Sequence, residues 1–452
     1  MKNKKIAVLV KYCGGELNPF DGAALQCALD TGAEVVVVTM APMSVRHAFE
    51  GLTRYGVRAV LLSDALYAGS DTVATSLVLA AAVRRLAPDL VFCGRQSVDG
   101  DTAQVPPMLA RRLGFTIKAK AIGCDGTHIT LRSGETFVPA SGTLITFEKM
   151  RALAFPSLFS RPGSAEVWDN GVLGIEPRLC GLNGSPTRVV RAYESRVGRR
   201  KCTVVGRGEL SGRIAEGLRS QRVRSAPPRG AQGLDCVYYV GDIADVAQSI
   251  AKRAVCYRAE GKTPAQIAQE LAAAGAHTVL WEDSERNKLI APQAAVLLDA
   301  GMCADCISFR AQDGKLVMTR PAQGGNVTAD IICTGAYTFA TVRTAHREGA
   351  DVLFCIGRGA LERRAAIERM AQETGAEVCC TRPVADEGFL PYTAQVGLTG
   401  RTVAPKVYVA FGVSGAVQHT CAIERSGTVI AVNCDASARI FDYADYGIIQ
   451  KI

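Results

Sequence analysis

Residues 89–114 read DLVFCGRQSVDGDTAQVPPMLARRLG: a continuous apolar run, then a polar loop, then a helical pattern led by Pro106-Pro107. An apolar run without period-2 alternation is typical of a strand that is buried on both faces of a sheet. The chain before this stretch alternates in the same way. We expect strands at 5–10, 34–40, 59–63 and 89–94, separated by Ala-rich helices at 20–31, 44–55, 71–86 and 105–113. Asp71 is expected to be the N-cap of the third helix. This order predicts an α/β fold with a parallel, right-handed, doubly wound sheet.

A second copy of this unit lies in the other half of the chain. Thr278-Val-Leu-Trp-Glu-Asp leads through a polar loop into a helical pattern that begins at Pro292. A β-rich segment follows in both halves, at 129–146 and at 307–333. Two consecutive matches indicate a duplication. We therefore predict two related nucleotide-binding-like domains, at 1–185 and 233–348.

A third unit at 349–452 begins with the apolar run Asp351-Val-Leu-Phe-Cys-Ile and the turn Gly357-Arg358-Gly359. A helix and three further strands are expected at 361–374, 377–380, 406–411 and 428–433. A glycine turn after the first strand of such a unit favours nucleotide binding, although Gly-x-Gly alone is a short motif. The sequence predicts a Rossmann-like C-terminal domain.

The formal net charge of +9 comes from one segment. Residues 184–232 carry twelve Arg and Lys against three Glu, and the rest of the chain holds equal numbers of bases and acids. Such a stretch can bind nucleic acid or an acidic partner, or it can be a solvated tether. Aromatic residues make up only 6% of the chain, and no nucleic-acid module is recognised. We therefore interpret 186–232 as a basic linker.

Several classes of protein are excluded by the sequence. No apolar run approaches 18 residues, and the block after the basic start is too short for a signal peptide, so we expect a cytoplasmic chain without a membrane span. Sixteen scattered cysteines are then expected to be reduced thiols. No phosphate loop of the Gly-x-x-x-x-Gly-Lys-Ser/Thr type, no Gly-x-Ser-x-Gly elbow and no pair of histidines at metal-ligand spacing is present, so neither a hydrolase nor a metal site is expected. The chain should bind a group that carries its own reactivity.

Loop 94–104 is the first place where such a group is expected. It follows a buried strand and precedes a helix whose free N–H groups favour a phosphate. Asp101 or Thr102 can cap that helix, and Asp99 can accept hydrogen bonds from a ribose or from turn amides. An ordinary capped loop is the alternative interpretation.

The last hundred residues carry ordered motifs: QVGLTGRTVAP at 395–405, GVSGAVQH at 412–419, AVNCD at 431–435 and IFDYADYGI at 440–448. These strings resemble the FAD-binding domain of the electron transfer flavoprotein α subunit. RPAQGGN at 320–326 resembles a motif in the first domain of the same subunit. The resemblance implies that residues 349–452 bind FAD.

The resemblance also assigns roles to single residues. Arg382 would lie against the flavin ring, where a guanidinium stabilises the reduced, anionic ring, and Thr399 would hydrogen-bond its central nitrogen. Gln418 and His419 would meet the pyrimidine side of the ring, although His419 taken alone is typical of a structural histidine. The residues expected to hold this FAD are Gly357, Arg358, Gly359, Arg382, Gln395, Val396, Gly397, Thr399, Gly400, Ser414, Gly415, Gln418, His419, Asn433 and Asp435.

The N-terminal half resembles the β subunit, through NPFD at 18–21, GSDTVATS at 69–76, CGRQSVDGDTAQ at 93–104 and GSPTR at 184–188. The chain thus resembles β and then α fused in one polypeptide. An adenine nucleotide is implied in the first domain. This is AMP in simple carriers, whereas DGDTAQ together with GSDT-x-ATS resembles the electron-bifurcating branch, in which a second FAD meets NADH. The residues expected to hold it are Asn18, Asp71, Thr72, Thr75, Gln96, Asp99, Gly100, Asp101, Thr102 and Gln104.

The family's partners imply docking to an acyl-CoA dehydrogenase-like flavoenzyme through Leu158, in the apolar turn AFPSLF at 154–159. A Leu158 buried in the core is the alternative. Ferredoxin or flavodoxin would be a further redox partner in the bifurcating branch. The primary hypothesis is a flavoprotein that carries electrons, with NADH oxidation as an added activity. The alternative is a nucleotide-binding docking or assembly protein without redox activity.

Overall fold

A computed structural model describes residues 1–194, 200–220, 233–325, 327–343, 350–398 and 400–450. The described residues group into two compact units. The first unit contains Met1–Arg191, Gly230–Arg320 and Ala329–Val342, and the second contains Ala192–Arg229, Pro321–Thr328 and Arg343–Ile452. The expected domains at 1–185, 233–348 and 349–452 divide the chain differently, and their boundaries stay a prediction.

The first 194 residues alternate strands and helices. In chain order they form β1 (Lys5–Leu9), β2 (Tyr12–Cys13), β3 (Glu16–Leu17), α1 (Pro19–Asp30), β4 (Glu34–Met40), α2 (Arg46–Glu50), β5 (Arg58–Leu62), α3 (Thr72–Leu86), β6 (Leu90–Gly94), α4 (Val105–Leu113), β7 (Thr116–Cys124), β8 (Ile129–Leu131), β9 (Thr136–Phe137), β10 (Thr143–Phe147), β11 (Glu166–Trp168), α5 (Asn170–Leu173) and β12 (Thr187–Glu194).

Nine of these strands form one sheet in the order β11-β5-β4-β1-β6-β10-β7-β8-β9, which is parallel except for the hairpins of β8 and β9. Alternate residues of β1 face opposite cores. Ile6 and Val8 belong to one hydrophobic cluster, which contains residues of α1 and α2, and Ala7 and Leu9 belong to a second, which contains residues of α3 and α4. Burial on both faces explains why β1 is continuously apolar.

The helix expected at 44–55 is shorter than predicted. Arg46–Glu50 is α-helical, and 3-10 turns at Met43–Val45 and Gly51–Tyr55 flank it. Gly51 and the β-branched Thr53 have low helix propensity, and Gly56 ends the segment at φ +76°. The other three predicted helices of this region are present as α1, α3 and α4.

Residues 200–343 contain the second half of the duplication. Their elements are β13 (Thr203–Val204), α6 (Leu210–Arg219), β14 (Leu234–Val240), α7 (Ala244–Ile250), β15 (Ala251–Cys256), α8 (Pro264–Ala273), β16 (Thr278–Glu282), α9 (Glu285–Leu297), β17 (Gly301–Cys306), β18 (Ser308–Gln312), β19 (Lys315–Ala322), β20 (Val327–Cys333) and β21 (Thr338–Val342). A parallel sheet has the order β15-β14-β16-β21-β17, and a four-stranded sheet has the order β12-β20-β19-β18.

The two halves of the first unit repeat one topology. The first half carries two additional parallel strands, β5 and β11, at the edge beyond β4. When only the five strands that the halves share are numbered in chain order, β4-β1-β6-β10-β7 and β15-β14-β16-β21-β17 have the same order, 2-1-3-5-4. In each half, antiparallel strands follow the fourth of these five shared strands, as β8 and β9 after β7 or as β18 and β19 after β17. This repeated order agrees with the duplication predicted from the sequence.

Residues 350–450 build the sheet of the second unit from β22 (Val352–Ile356), α10 (Arg364–Thr374), β23 (Glu377–Cys380), α11 (Arg382–Asp386), β24 (Val407–Phe411), α12 (Val417–Thr420), β25 (Thr428–Asn433) and β26 (Tyr446–Ile449). The sheet order is β13-β26-β25-β24-β22-β23, and its strands are parallel. Counted from β22, five of these strands have the doubly wound order 2-1-3-4-5 of flavodoxin-like sheets, and β13 is added beside β26. The expectation of a Rossmann-like domain specified no strand order.

Part of the predicted basic linker contributes to this second unit. The segment 210–219 forms α6, whose Ile214 is buried in the cluster that contains Val407 and Ile430. A Cβ on Gly217 would overlap Val407, so the helix lies directly on the sheet. Residues 195–199 and 221–232 of the linker lie outside the described residues.

One pair of cysteines corrects the expectation that the thiols are all reduced. Cys27 on α1 and Cys124 on β7 form a disulfide with a Cα–Cα distance of 5.9 Å. The two residues are 97 positions apart, and both belong to or pack against the same core cluster. Sequence spacing could not have identified them as a pair.

Over its described residues, the structure contains no helix with the length and apolar character that crossing a lipid bilayer requires.

Candidate functional site

The carboxyl ends of β1, β4, β5 and β6 surround a cavity of about 630 Å³ in the first unit. β4 and β6 lie on opposite sides of β1, so the strand order reverses direction at β1. Doubly wound sheets bind ligands at the carboxyl ends of the strands where the order reverses in this way. Asp99 and Asp101 belong to the adjoining loop but not to the cavity wall. The other eight residues predicted for the adenine nucleotide line the cavity: Asn18, Asp71, Thr72, Thr75, Gln96, Gly100, Thr102 and Gln104.

Two buried side chains at this cavity keep one polar atom unpaired. Asn18 donates from Nδ2 to Gln96 O at 2.9 Å, and Oδ1 has no partner among the described residues. Gln104 accepts from Thr72 Oγ1 at 3.0 Å, and its Nε2 likewise has no partner in the described part of the chain. A buried polar atom without a partner costs roughly 1–3 kcal/mol. One acceptor and one donor at the wall therefore fit a ligand with both kinds of group, as adenine and ribose have.

Both carboxylate oxygens of Asp71 accept hydrogen bonds from within the protein. Its Oδ1 accepts from Val73 N and Ala74 N, which makes it the N-cap of α3, and its Oδ2 accepts from Thr187 N at 3.0 Å and from Thr187 Oγ1 at 2.7 Å. The predicted N-cap is confirmed. Asp71 thus ties segment 185–187 to the start of α3 at the cavity.

The loop 96–101 is held by an ion pair and by a side-chain hydrogen bond. Lys11 Nζ lies 2.7 Å from Asp99 Oδ2, and Gln96 Nε2 donates to Asp101 Oδ1 at 3.0 Å. Burial raises the pKa of Asp99, but hydrogen bonds from Lys11, Ser97 and Gly100 together with the Lys11 charge outweigh burial and lower that pKa to about 2. Asp99 is therefore anionic at pH 7 and holds the loop, and its contact with a nucleotide stays a prediction.

Asp21 is a residue that the sequence prediction missed. Its two carboxylate oxygens accept from Lys11 N and Gly94 N, each at 2.8 Å, so one side chain braces the ends of β1 and β6 below the cavity. Burial raises the pKa of Asp21 to about 7. The available signal was the motif Asn18-Pro19-Phe20-Asp21, which places an acid in the first turn of α1.

In the second unit, the predicted FAD residues gather at one edge of the sheet. Because β22, β23, β24 and β25 are parallel, the segments that follow them share that edge. These segments contain Gly357, Arg358 and Gly359 after β22, Arg382 after β23, Ser414, Gly415, Gln418 and His419 after β24, and Asn433 and Asp435 at and after the end of β25. Gln395, Val396, Gly397 and Gly400 lie between β23 and β24, whereas Thr399 lies outside the described residues.

These loops are packed backbone against backbone. Gly412 has φ +60°, and a Cβ there would overlap Gly359 and Ala360, so only glycine allows this approach. Asn433 donates from Nδ2 to Val413 O at 2.8 Å and thereby joins the loops after β24 and β25. Ser414, Gln418 and Asp435 are exposed. Close backbone turns with exposed polar side chains fit a bound dinucleotide.

His419 occupies the core rather than the surface of this edge. Its Nδ1 lies 3.1 Å from Val396 O and its Nε2 lies 3.0 Å from Tyr408 Oη. A carbonyl only accepts, so the network places the proton on Nδ1 and lets the Tyr408 hydroxyl donate to Nε2. Burial lowers the pKa of His419 to about 4. The ring is neutral at pH 7, both ring nitrogens are engaged within the protein, and direct contact with a flavin stays a prediction.

The pH dependence of stability in the second unit should reveal this buried histidine. The folded pKa of about 4 lies below the ordinary 6.5, so the unfolded chain takes up a proton first as the pH falls. The free energy of unfolding should decrease between pH 6.5 and 4, by about 3 kcal/mol in total. Hydrogen exchange of the β24 amides measures this. A His419→Gln variant should lose the dependence, and the exposed His128→Gln should keep it. An equal pH slope in wild type and His419→Gln would contradict the assignment.

Arg382 begins α11 and is partly exposed. Its Nε lies 3.2 Å from Asp386 Oδ2, one helical turn away, and Tyr392 donates to the other oxygen of Asp386 at 3.1 Å. Asp386, which the sequence prediction did not include, therefore orients the guanidinium. The sequence signal was the i, i+4 spacing of the two charges.

The turn at 154–159 is exposed, so the alternative that Leu158 belongs to the core is wrong. Phe155, Leu158 and Phe159 are 100%, 90% and 96% exposed. The backbone beneath them is fixed: Arg54 donates to Ser157 O and Ser160 O at 3.1 and 3.2 Å, and Tyr55 donates to Ala154 O at 2.7 Å. Large apolar side chains that are fixed in place and exposed agree with a docking surface at this turn, which stays a prediction. We call Phe155, Leu158 and Phe159 the apolar turn.

Two family models match the chain. The model described as "Electron transfer flavoprotein domain" matches residues 6–132 and 246–374, and the model described as "Electron transfer flavoprotein FAD-binding domain" matches residues 348–424. The first model thus matches in both halves that share a strand order. The second begins just before β22 and contains the loops after β22, β23 and β24.

Individual relatives are similar to parts of this chain. Protein FixA of Azorhizobium caulinodans is 37% identical over 221 residues, which are 43% of this chain and 79% of the relative. Protein FixB of Rhizobium meliloti is 30% identical over 212 residues, 35% of this chain and 59% of the relative. The electron transfer flavoprotein subunit alpha of Thermoanaerobacterium thermosaccharolyticum is 32% identical over 209 residues, 36% of this chain and 63% of the relative.

Proposed function

Because the chain belongs to the electron transfer flavoprotein family, we propose that it carries electrons on FAD between two redox partner proteins. FAD binding by the C-terminal part of the chain rests on the family model at 348–424. The supporting observation is that the loops predicted to bind FAD lie together at one edge of the sheet in the second unit. Bound FAD supplies the redox chemistry, and the protein supplies the binding site, the charge and the exclusion of water.

The residues proposed to hold this FAD have different tasks. Gly357, Gly359 and Gly415 let the loops of the proposed site pack closely, since a Cβ at each would meet the backbone of Gly412 or Ile440. Arg382, oriented by Asp386, places a positive charge at the edge. The remaining proposed contacts are Arg358, Gln395, Val396, Gly397, Thr399, Gly400, Ser414, Gln418, His419, Asn433 and Asp435.

We also propose that the cavity of the first unit holds an adenine nucleotide. The unpaired Asn18 Oδ1 and Gln104 Nε2 support this, since they supply one acceptor and one donor to a buried wall. The volume of about 630 Å³ accommodates AMP and is large enough to admit a dinucleotide, so AMP and a second FAD are both retained. A second FAD would make the chain a member of the bifurcating branch that accepts electrons from NADH.

The proposed partners follow from the family and from the apolar turn. An acyl-CoA dehydrogenase-like flavoenzyme would dock at Phe155, Leu158 and Phe159, and ferredoxin or flavodoxin would be the further acceptor in a bifurcating system. We propose that one chain combines the roles of the β and α subunits, and that it works in the cytoplasm. The match of one family model in both halves supports the combination.

Cofactor content per chain tests this function. We expect purified protein to be yellow and to release one FAD per chain together with one AMP, or two FAD and no AMP. Denaturation followed by chromatography of the released nucleotides measures both. Colourless protein that FAD cannot reconstitute would contradict the carrier function and favour a docking or assembly protein.

A further inference from the structure

Arg320 connects the second half of the first unit to the cavity loop of the first half. It lies on β19, is only 5% exposed, and donates from Nη1 to Gly100 O at 2.9 Å and from Nη2 to Asp101 O at 3.3 Å. Hydrogen bonds from a charged donor are stronger than those between neutral groups. We infer that Arg320 is a positioning residue that holds loop 96–103 in the shape that binds the nucleotide. This inference rests on the nucleotide site proposed above.

The loop needs such support because its backbone is strained. Asp101 and Ala103 have φ values of 52° and 54°, in the left-handed region that non-glycine residues rarely adopt. Such a conformation is unfavourable and persists only where its surroundings hold it. Arg320 holds the carbonyls of Gly100 and Asp101, at the start of the strained stretch.

A hydrogen-bond relay extends this support to the cavity wall. Asp101 Oδ1 accepts from Gln96 Nε2 at 3.0 Å, and Gln96 O accepts from Asn18 Nδ2 at 2.9 Å. This second bond fixes the amide of Asn18, a residue that lines the cavity and whose Oδ1 has no partner among the described residues. The relay therefore links a charge on β19 to an acceptor at the opposite end of the loop.

The consequence is that the nucleotide site of the first half is incomplete without the second half. None of the residues predicted for that site lies beyond position 104, so the sequence prediction treats the first half as self-sufficient. The structure adds a buried cation from residue 320, more than two hundred positions later. We expect loss of this cation to weaken nucleotide binding without removing FAD from the second unit.

The experiment uses the full chain, freed of nucleotide at the cavity, with AMP as the probe. Isothermal titration compares wild type with Arg320→Met, Arg320→Lys and Arg310→Met. Arg310 is the matched control, because it lies on the neighbouring β18 and pairs with Asp330 instead. We expect AMP to bind about tenfold more weakly to Arg320→Met, as the loss of one or two buried hydrogen bonds implies. Arg320→Lys, which keeps the charge, should recover part of this loss, and Arg310→Met should bind like wild type.

FAD absorbance in the same samples reports whether the second unit is intact, and hydrogen exchange of amides 98–103 reports loop order. Faster exchange in Arg320→Met, with FAD content unchanged, supports the positioning role. AMP affinity equal to that of wild type in folded Arg320→Met overturns the positioning role.

If Arg320→Met does not fold, Arg320→Lys decides. Weaker AMP binding and faster loop exchange in Arg320→Lys than in Arg310→Met support the inference, and equal values overturn it. A wild type that binds neither AMP nor a second FAD overturns the proposed nucleotide site, and the inference with it.

Discussion

Arg382→Ala is expected to lower the first reduction potential of the bound FAD by on the order of 60–130 mV, since a hydrogen bond to a charged group contributes roughly 1.5–3 kcal/mol and 59 mV equals a tenfold change in a one-electron step. Reduction adds negative charge to the flavin ring, and a nearby guanidinium stabilises that charge. The structure makes Arg382 more decisive than the sequence suggested, because His419 is neutral at pH 7 and already bonded to Val396 and Tyr408. Dithionite titration against a reference dye measures the potential.

Two further variants separate charge from structure at this position. Arg382→Lys keeps a positive charge but not the planar fork, so we expect a smaller shift in the same direction. Arg364→Ala removes another arginine of the same unit, one that donates to Phe389 O at the surface, and should leave the potential close to that of wild type. If Arg382→Ala binds FAD and keeps the wild-type potential, Arg382 does not face the ring.

Replacing the apolar turn with serine, as Phe155→Ser, Leu158→Ser and Phe159→Ser together, is expected to reduce electron transfer with an acyl-CoA dehydrogenase about 10- to 100-fold in kcat/KM. A few large side chains carry most of the affinity of a protein interface, and their effects do not add fully. The three side chains are almost completely exposed, so their loss removes no core packing. A coupled assay, with acyl-CoA as the electron source and the dehydrogenase in catalytic amount, measures the rate.

The control for the apolar turn is an exposed apolar residue elsewhere. Val138 is 54% exposed, and Val138→Ser should leave the coupled rate unchanged. FAD content and direct reduction by dithionite should be the same in every variant, because the turn lies in the first unit and the FAD residues lie in the second. An unchanged coupled rate in the triple variant would remove the apolar turn as a docking surface for this partner.

Local sequence patterns predicted much of the fold, and their errors have local causes. The four N-terminal strands and Asp71 as a helix cap follow from apolar runs and from a polar residue at a helix start, which depend on neighbours in the chain. The helix expected at 44–55 failed because Gly51 and Thr53 interrupt it. The prediction of a Rossmann-like C-terminal domain left its strand order open, because which strand lies beside β22 depends on contacts between distant segments.

The candidate sites likewise combine features that the sequence predicts with features that only the structure shows. The sequence by itself determined the family resemblance, the α/β class, the duplication and the loops in which ligands are expected, because ordered motifs and apolar periodicity are properties of short segments. Only the tertiary structure decided that Leu158 is exposed, that His419 is buried against Tyr408, that Cys27 meets Cys124 and that Arg320 supports the loop after β6. Each of these depends on burial or on a hydrogen bond between residues far apart in sequence. Such contacts form only when the sheets and helices pack, and no local pattern of residue types encodes them.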